Sequence, residues 1–142
     1  MGEESNPGFN NIDTDTLISF DLNIDYDDQY VITTTVYETE SDRGSTSGYA
    51  IQKYWNNLGI KIFEVRVDGS FSYNGSTCST TSATATFTPA PLLGWSSNPS
   101  SASGKSGNLA YARAYGTAVH LSDTQSYSVC IYCDVNGNLS SS

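Results

Sequence analysis

Hydrophobic and polar residues alternate along most of this chain. Between residues 63 and 73 the odd-numbered positions are apolar, aromatic or glycine, and the even-numbered positions are polar or charged. Alternation with a period of two predicts a β-strand with one buried face. The same pattern predicts about seven strands, at residues 17–24, 30–37, 49–55, 60–73, 80–88, 109–121 and 127–133.

Three of these segments allow more detailed predictions. In the first strand, the even-numbered positions from 18 to 24 are apolar, and we expect that side to be half-buried. Residues 49–55 also fit a helical spacing, but the Asn-Asn-Leu-Gly at 56–59 is typical of a hairpin and favours a strand. In the fourth strand the apolar side changes parity near Ile62, which predicts a β-bulge there.

Turn signals separate these strands, and no segment predicts a secure helix. Residues 38–48 are polar with two glycines and are expected to form a loop. Short strands divided by turns predict an all-β fold, an antiparallel β-sandwich (Ig-like or related), with a small barrel as the alternative. A chain of 142 residues has room for one core, expected in residues 14–142 after a flexible tail at 1–13.

Composition supports the all-β prediction and excludes some functions. Charged residues make up 15% of the chain, and Ser, Thr, Asn, Gly and Tyr replace them, which suits strands better than helices. The net charge is −9, and eleven of the fifteen acidic residues lie in residues 1–42, where there is no Lys or Arg. Without a basic stripe or a long apolar run, the sequence predicts neither nucleic-acid binding nor a membrane span.

The first residues of the chain do not decide whether the protein is cytosolic or exported. Residues 1–4 are Met-Gly-Glu-Glu, which does not resemble a signal peptide. Either the protein is cytosolic, or it is exported and this sequence begins after a removed leader. The low charge and the high hydroxyl content favour a secreted, extracellular protein.

The stretch from Tyr54 to Ser140 resembles a group of uncharacterised small secreted β-proteins (a domain of unknown function) from Gram-positive, Clostridia-type bacteria. Three blocks match in order and spacing, at residues 67–78 (Val-Asp-Gly-Ser-Phe-Ser-Tyr-Asn-Gly-Ser-Thr-Cys), 103–110 and 127–140. The resemblance implies secretion and a Gram-positive source, and it implies no activity.

The resemblance also implies a disulfide bond between Cys78 and Cys133, so the predicted sandwich is disulfide-stapled. Cys130 departs from the pattern of the group, and pairing through Cys130 instead stays open. Residues 130 and 133 point to opposite faces of a regular strand, so Cys78 can readily reach only one of them. The odd number of cysteines leaves one thiol free.

No catalytic centre is predicted. The Cys-Ile-Tyr-Cys of residues 130–133 has the spacing of a redox motif, but it lies in a strand and not at a helix N-terminus, which favours a structural role. A zinc site would need a fourth ligand, and His120 is the only histidine. A hydrolase using His120 is the alternative, but no nucleophile elbow accompanies it. We therefore expect a protein that is not an enzyme.

Aspartates in the acidic N-terminal region are candidate calcium ligands. Ca²⁺ takes six to eight oxygen ligands, and a turn rich in carboxylates supplies them. Asp25, Asp27 and Asp28 are the strongest candidates, with calcium the one cofactor that the sequence points to. The alternative is that these carboxylates are solvated ends of strands that protect a sheet edge.

Aromatic residues make up 12% of the chain and are the candidate ligand-binding residues. Exposed Trp and Tyr rings form flat platforms for sugars, and Trp95, Tyr111 and Tyr115 are the candidates, the two tyrosines four residues apart on one strand. The alternative is that tryptophans fill the ends of the sandwich and tyrosines pair across strands.

These observations predict a monomeric, secreted or cell-surface, non-catalytic binding module. Its expected partner is a glycan, a cell-envelope component or a cell-surface protein. The alternative is an extracellular effector or bacteriocin-like protein that acts through a protein partner. A cluster of exposed aromatic residues would favour the first function, and a continuous apolar patch would favour the second.

Overall fold

The computed structural model describes residues 15–25 and 30–141. These residues form nine β-strands: β1 (Thr16–Asp25), β2 (Tyr30–Asp42), β3 (Ser45–Trp55), β4 (Lys61–Tyr73), β5 (Cys78–Pro89), β6 (Ser100–Ser106), β7 (Leu109–His120), β8 (Asp123–Cys133) and β9 (Leu139–Ser141). Within the described part of the chain, no helix is long and apolar enough to cross a membrane. The flexible tail predicted at residues 1–13 lies outside the described residues.

The strands form two antiparallel sheets that face each other. One sheet has the order β1-β2-β3-β4-β5 and the other the order β6-β7-β8-β9. Strands β4 and β5 pack across β7. The predicted all-β, two-sheet sandwich is confirmed. The Ig-like form is not confirmed. In both sheets, strands that are hydrogen-bonded to each other are also consecutive in sequence, whereas Ig sandwiches use Greek-key connections.

Nine strands are present where about seven were predicted. The two additional strands are β6, which reads Ser-Ser-Ala-Ser-Gly-Lys-Ser and has no apolar alternation, and β9, which has three residues. The loop predicted at 38–48 was also wrong. Strand β2 continues to Asp42 and β3 begins at Ser45, so only Arg43 and Gly44 connect them, with Gly44 at a φ of 81°.

The core lies between β4 of the first sheet and β7 and β8 of the second. Val65, Val67 and Phe71 point inward from β4 and are buried. Opposite them, β7 presents small side chains, Ala110, Ala112 and Ala114, all fully buried. The predicted bulge is confirmed, because Tyr54 pairs with Phe63 and Trp55 pairs with Lys61, which leaves Ile62 as the extra residue.

Strand β1 has the opposite orientation to the one expected. Phe20 pairs with Thr35 and Leu22 with Thr33 on the outer face, whereas Ser19 pairs with the core residue Val36. Phe20 and Leu22 are accordingly 58% and 60% exposed. The reason is the width of the second sheet: only the three-residue β9 lies across from β1, so the inner side of β1 has little surface to pack against.

The expected Cys78–Cys133 bridge is not seen, and Cys78, Cys130 and Cys133 are free, buried thiols. The single thiol hydrogen of Cys78 is shared between the carbonyl oxygens of Asn108 and Cys133, which lie 3.2 and 3.4 Å from its Sγ, and the sulfur is not bonded to that of Cys133. Cys133 nevertheless lies on the inner face beside Cys78. Cys130 pairs with Arg113 on the outer face, so the predicted opposite orientation of the two cysteines is observed.

Candidate functional site

The outer face of the four-stranded sheet displays a cluster of tyrosine and arginine side chains. Tyr111, Arg113 and Tyr115 alternate along β7 with the buried alanines, so all three point away from the core. On β8, Tyr132 lies directly opposite Tyr111. We call these four residues the tyrosine–arginine face.

Neighbouring strands contribute small side chains around this face. Tyr111 lies between Gly104 of β6 and Tyr132 of β8. In the next row Arg113 lies between Ala102 and Cys130, and in the third row Tyr115 lies between Ser100 and Ser128. Large side chains from β7 therefore rise above small neighbours on β6.

Gly104 determines the position of the Tyr111 ring. A Cβ atom at position 104 would lie 3.0 Å from the hydroxyl oxygen of Tyr111 and 3.2 Å from its Cζ. The ring therefore covers the glycine and lies against β6. The Tyr132 ring meets it edge to face, at 6.2 Å between centroids and an interplanar angle of 60°. Tyr111 is therefore half-buried and held between a glycine and an aromatic ring.

Arg113 and Tyr115 form the second half of the face. The guanidinium carbon of Arg113 lies 4.8 Å from the centroid of the Tyr115 ring, which is a cation–π contact. The Nε of Arg113 is buried and has no hydrogen-bond partner in the structure. Tyr115 is 38% exposed. This half of the face therefore combines an exposed ring with a cation whose hydrogen-bonding capacity is not fully used.

Cys130 lies beneath the face and is not an activated nucleophile. Burial raises the pKa of its thiol, although a hydrogen bond with Tyr132 and the charge of Arg113 act in the opposite direction. A thiol with a raised pKa stays protonated near neutral pH, and the thiolate is the reactive form.

Trp95 does not belong to this face, contrary to its selection as a ligand platform. It is 8% exposed, and its ring packs against Phe63 (5.4 Å) and stacks on His120 (5.3 Å). A bulky ring in the loop after β5 fills the open end of the core, because burying it stabilises the fold more than exposing it. His120, the candidate hydrolase residue, is engaged in this stacking.

Two of the four residues of the face, Tyr111 and Tyr115, are predicted by the sequence. Tyr111 and Tyr115 were identified by their spacing on one predicted strand. Arg113 lies between them at the same parity, and that signal was available. Tyr132 and the glycine at 104 depend on the register between strands, which the alternation pattern does not determine.

The predicted calcium ligands are not brought together in the described part of the chain. Asp27 and Asp28 lie outside the described residues, and Asp25 is the last residue of β1. Among residues 15–25 and 30–141, no group of three or more His, Cys, Asp or Glu side chains could hold a metal ion. The calcium site therefore stays a prediction.

A second exposed surface lies on the five-stranded sheet. The outer side of β1 carries Phe20, Leu22 and Ile24, which we call the β1 strip. Strand β1 is at the edge of its sheet in the described part of the chain, so one side of its backbone has no neighbouring strand. Edge strands are usually protected against pairing by charges or bulges, and β1 has a bulge between Leu17 and Ser19 and an aspartate, Asp21, on its other side, although its outer side is apolar.

Comparison of the chain with protein-family models, curated proteins and solved structures gives no match. The resemblance to small secreted β-proteins therefore gains no support from these comparisons. A function can therefore be proposed only from the surfaces described above.

Proposed function

We propose that this chain is a secreted or cell-surface, non-catalytic binding module whose tyrosine–arginine face binds a glycan. The observation that supports this function best is the Tyr111 ring, whose hydroxyl end packs against Gly104 and is thereby fixed in position. The Tyr111 ring is half-buried, so part of its surface is open to a ligand. Tyr115, four residues along the same strand, adds a ring that is exposed.

The chemistry of the face suits a sugar. The C–H groups of a pyranose ring pack against the negative face of an aromatic ring. The Arg113 guanidinium offers donors to sugar hydroxyl or carboxylate oxygens. Exposed hydroxyls of Ser100 and Ser128 flank the row of Tyr115 and can both donate and accept.

A non-catalytic function agrees with the state of the reactive side chains. The Cys130 thiol beneath the face has a raised pKa. His120 stacks on Trp95, and its cross-strand neighbour Asp123 makes no hydrogen bond to it in the described structure. The proposed export rests on composition and on the resemblance to secreted Gram-positive proteins.

Binding to a panel of cell-wall and host glycans would test this function, with calorimetry and thermal shift as readouts. We expect the Tyr111→Ala and Tyr115→Ala variants to weaken binding about tenfold each, or about 1.4 kcal/mol. Gly104→Val should act in the same direction, because its side chain would lift the Tyr111 ring. Phe20→Thr, an exposed aromatic position on the other sheet, is the matched control.

Two results would contradict a glycan-binding face. One is the absence of any thermal shift across the panel. A ligand present at about 100 times its Kd would add about 2.7 kcal/mol to the free energy of unfolding and would shift the melting temperature visibly. The other is a glycan that binds all three face variants as tightly as the wild-type protein does.

The β1 strip favours a second candidate function, an effector that acts through a protein partner. Its apolar side chains are exposed on an edge strand, where a partner can add a further strand by main-chain hydrogen bonds. Binding to a protein that is lost in a Phe20→Thr/Leu22→Thr variant, and kept in Tyr111→Ala, would favour this function over glycan binding.

We also propose that Cys78 and Cys133 form a disulfide bond in the exported protein. They lie on strands of different sheets, with the Cys78 sulfur 3.4 Å from the carbonyl oxygen of Cys133. Cys130 points to the outer face, so it is the thiol left over. Bond formation brings the two sulfurs together and releases two electrons and two protons, which an oxidant outside the protein, such as a small-molecule disulfide, takes up by thiol–disulfide exchange.

A further inference from the structure

Arg113 is the one charged side chain at the outward-facing strand positions of the four-stranded sheet, within the described residues. These positions are 100, 102, 104 and 106 on β6, the odd numbers from 109 to 119 on β7, the even numbers from 124 to 132 on β8, and 140 on β9. They hold no other Lys or Arg and no Asp or Glu. The strands of this face therefore carry a single positive charge.

The acidic residues of this sheet lie at its ends and are not placed to pair with Arg113. Asp123 begins β8 and lies opposite the last residue of β7, on the inner side by register. Asp134 lies in the β8–β9 turn, four residues beyond the row of Arg113, or about 13 Å along a strand. Its carboxylate accepts two backbone hydrogen bonds of 2.9 Å within that turn.

A second arginine, on the outer face of the other sheet, shows what Arg113 lacks. The guanidinium carbon of Arg66 lies 3.8 Å from the centroid of the Tyr49 ring, and that of Arg113 lies 4.8 Å from the centroid of the Tyr115 ring. Arg66 also donates from its Nε and Nη2 to the carboxylate of Asp68, at 2.7 to 3.1 Å. Both arginines stack on a tyrosine, but in the described structure only Arg66 has a carboxylate beside it.

The guanidinium of Arg113 therefore keeps hydrogen-bonding capacity that the described part of the protein does not use. Its Nε has no hydrogen-bond partner, whereas the Nε of Arg66 bonds to a carboxylate. The salt bridges of the described residues join Lys61 to Glu64 and Arg66 to Asp68, and neither involves Arg113. A guanidinium presents five N–H donors in a planar fork that matches the two oxygens of a carboxylate. Because protein atoms cover the Nε, the terminal nitrogens are the donors that an incoming carboxylate would meet.

The net charge of −9 does not oppose an anionic ligand at this face. Eleven of the fifteen acidic residues lie in residues 1–42, whereas residues 90–141, which contain the second sheet, have two basic and two acidic residues. Stacked sheets lie about 10 Å apart, and physiological salt largely screens charges that are more than about 8 Å apart. The charge that acts on a ligand here is mainly that of Arg113.

We propose that the ligand of the tyrosine–arginine face is an acidic glycan, whose sugar carboxylate occupies the place at Arg113 that Asp68 occupies at Arg66. This inference rests on the proposed glycan-binding function and names its ligand class. A carboxylate accepts two parallel hydrogen bonds from one guanidinium, and such charged bonds are stronger than those to a neutral hydroxyl. The exposed part of the Tyr115 ring, beside the cation, contacts the sugar ring. Uronic and sialic acids both supply this chemistry.

Matched pairs of acidic and neutral sugars test the proposal, with isothermal titration calorimetry as the readout. One pair is a galacturonic acid oligosaccharide and its methyl ester, which keeps the sugar rings and removes the charge. The other pair is sialyllactose and lactose, so the two pairs distinguish uronic from sialic acid. We expect the wild-type protein to bind the acid of at least one pair about ten times more tightly than its neutral partner, or better.

Substitutions of Arg113 should act on this preference. Arg113→Gln should bind the acid no more tightly than the neutral sugar. Arg113→Lys keeps the charge without the planar fork, so it should keep only part of the preference, and it serves as the test if the glutamine variant does not fold. Lys105→Gln removes the same charge from an exposed side chain on the inner side of β6, and it should keep the full preference. Thermal unfolding checks the fold of each variant.

Three outcomes would overturn the proposal. In the first, the wild-type protein binds the neutral member of each pair as tightly as the acid, which leaves the glycan-binding function standing. In the second, Arg113→Gln keeps the preference for the acid. In the third, Lys105→Gln loses the preference as fully as Arg113→Gln does, which would trace it to net charge. If the wild-type protein binds no sugar in these pairs or in the wider panel, the glycan-binding function fails together with its acidic ligand.

Discussion

Tyr49 shows how a single buried phenol connects three elements. Its hydroxyl donates a hydrogen bond to the Oδ2 of Asp15 (2.9 Å), and the Arg66 guanidinium lies 3.8 Å from the centroid of its ring. Arg66 is held in place by a bidentate ion pair with Asp68, at 2.7 to 3.1 Å. Burial raises the pKa of Tyr49 from 10.0 to about 12, and the hydrogen bond to Asp15 adds to the effect.

This raised pKa predicts a loss of stability at high pH. The unfolded chain releases the Tyr49 proton near pH 10 and the folded protein near pH 12, so the stabilisation is complete below pH 10 and is lost between these values. Chemical denaturation at several pH values should show a shallower decline for Tyr49→Phe than for the wild-type protein. Tyr37→Phe, at the neighbouring ring 5.1 Å away, controls for the loss of a hydroxyl. Equal declines for Tyr49→Phe and wild type would show that Tyr49 does not cause the loss.

Strand β3 depends on a glycine to bring the two sheets close together. Gly48 is on the inner face and pairs with Gly69 of β4. A Cβ atom at position 48 would collide with the carbonyl oxygen of Tyr37 and would lie 2.7 Å from the Cδ1 of Leu139. The absence of a side chain here creates the space that Leu139 of β9 occupies. A side chain at position 48 would displace Leu139, and β9 would then lose this contact with the first sheet.

We therefore expect Gly48→Ala to destabilise the protein by about 1–3 kcal/mol, the usual range for overpacking a core. Its denaturation midpoint should fall without a large change in slope. Ser45→Ala, at an exposed position on the same strand, is the control and should change stability by less than about 0.5 kcal/mol. A midpoint for Gly48→Ala equal to that of the control would contradict this expectation, because both the Tyr37 carbonyl and Leu139 would have to move aside without cost.

Among the elements, the sequence predicted strongly alternating strands well and weakly patterned ones poorly. Strand β4 was predicted with the correct apolar side, because its two sides differ clearly in polarity, and β7 was predicted as a strand from the alternation of small and large residues. Strand β6 has small polar residues on both sides, and β9 is too short for a periodic signal. For β1 the predicted strand is correct, but the predicted buried side is wrong. An alternating pattern shows that the two sides of a strand differ, and it does not show which side faces the second sheet.

The candidate site was predictable to a similar extent. The spacing of Tyr111 and Tyr115 placed them on one face of one strand. The contact of Tyr111 with Gly104 and Tyr132 depends on which residues lie opposite each other on three strands. Trp95 illustrates the opposite error, because a tryptophan in a Pro/Gly/Ser loop gives no sign in sequence of whether it folds back over the core.

At the scale of the whole molecule, the chain passes between the two sheets once in the described residues, through the connection at 90–99. Elsewhere the sheets are held together by packing and by a few hydrogen bonds, such as those from Gly75 N to the carbonyl of Val135 and from Thr80 Oγ1 to the carbonyl of Tyr111, both 2.8 Å. Cys78 begins β5 of one sheet and Cys133 ends β8 of the other, at the end opposite to this connection. A bond between them would join the sheets at the end that has no covalent link.

Oxidation should therefore stabilise the sandwich as a unit. The two cysteines are 55 residues apart, and closing a loop of that length contributes about 4 kcal/mol in the chain-entropy estimate. Denaturation of oxidised and reduced protein should show this difference. The difference in stability between the oxidised and the reduced protein should disappear in Cys133→Ala and persist in Cys130→Ala.

The reduced protein offers an independent check on this pair. Burial raises the pKa of Cys133 to about 12, and the neighbouring Cys78 adds to the effect. Because only thiolates react, alkylation of folded, reduced protein at pH 8 should leave Cys133 largely unmodified, and unfolding should release it. Mass mapping of the oxidised protein without reductant should then find Cys78 joined to Cys133 and Cys130 alkylated after unfolding. A Cys130–Cys133 link would contradict the assignment, because it would require two residues on opposite faces of β8 to meet and would leave the two sheets unjoined.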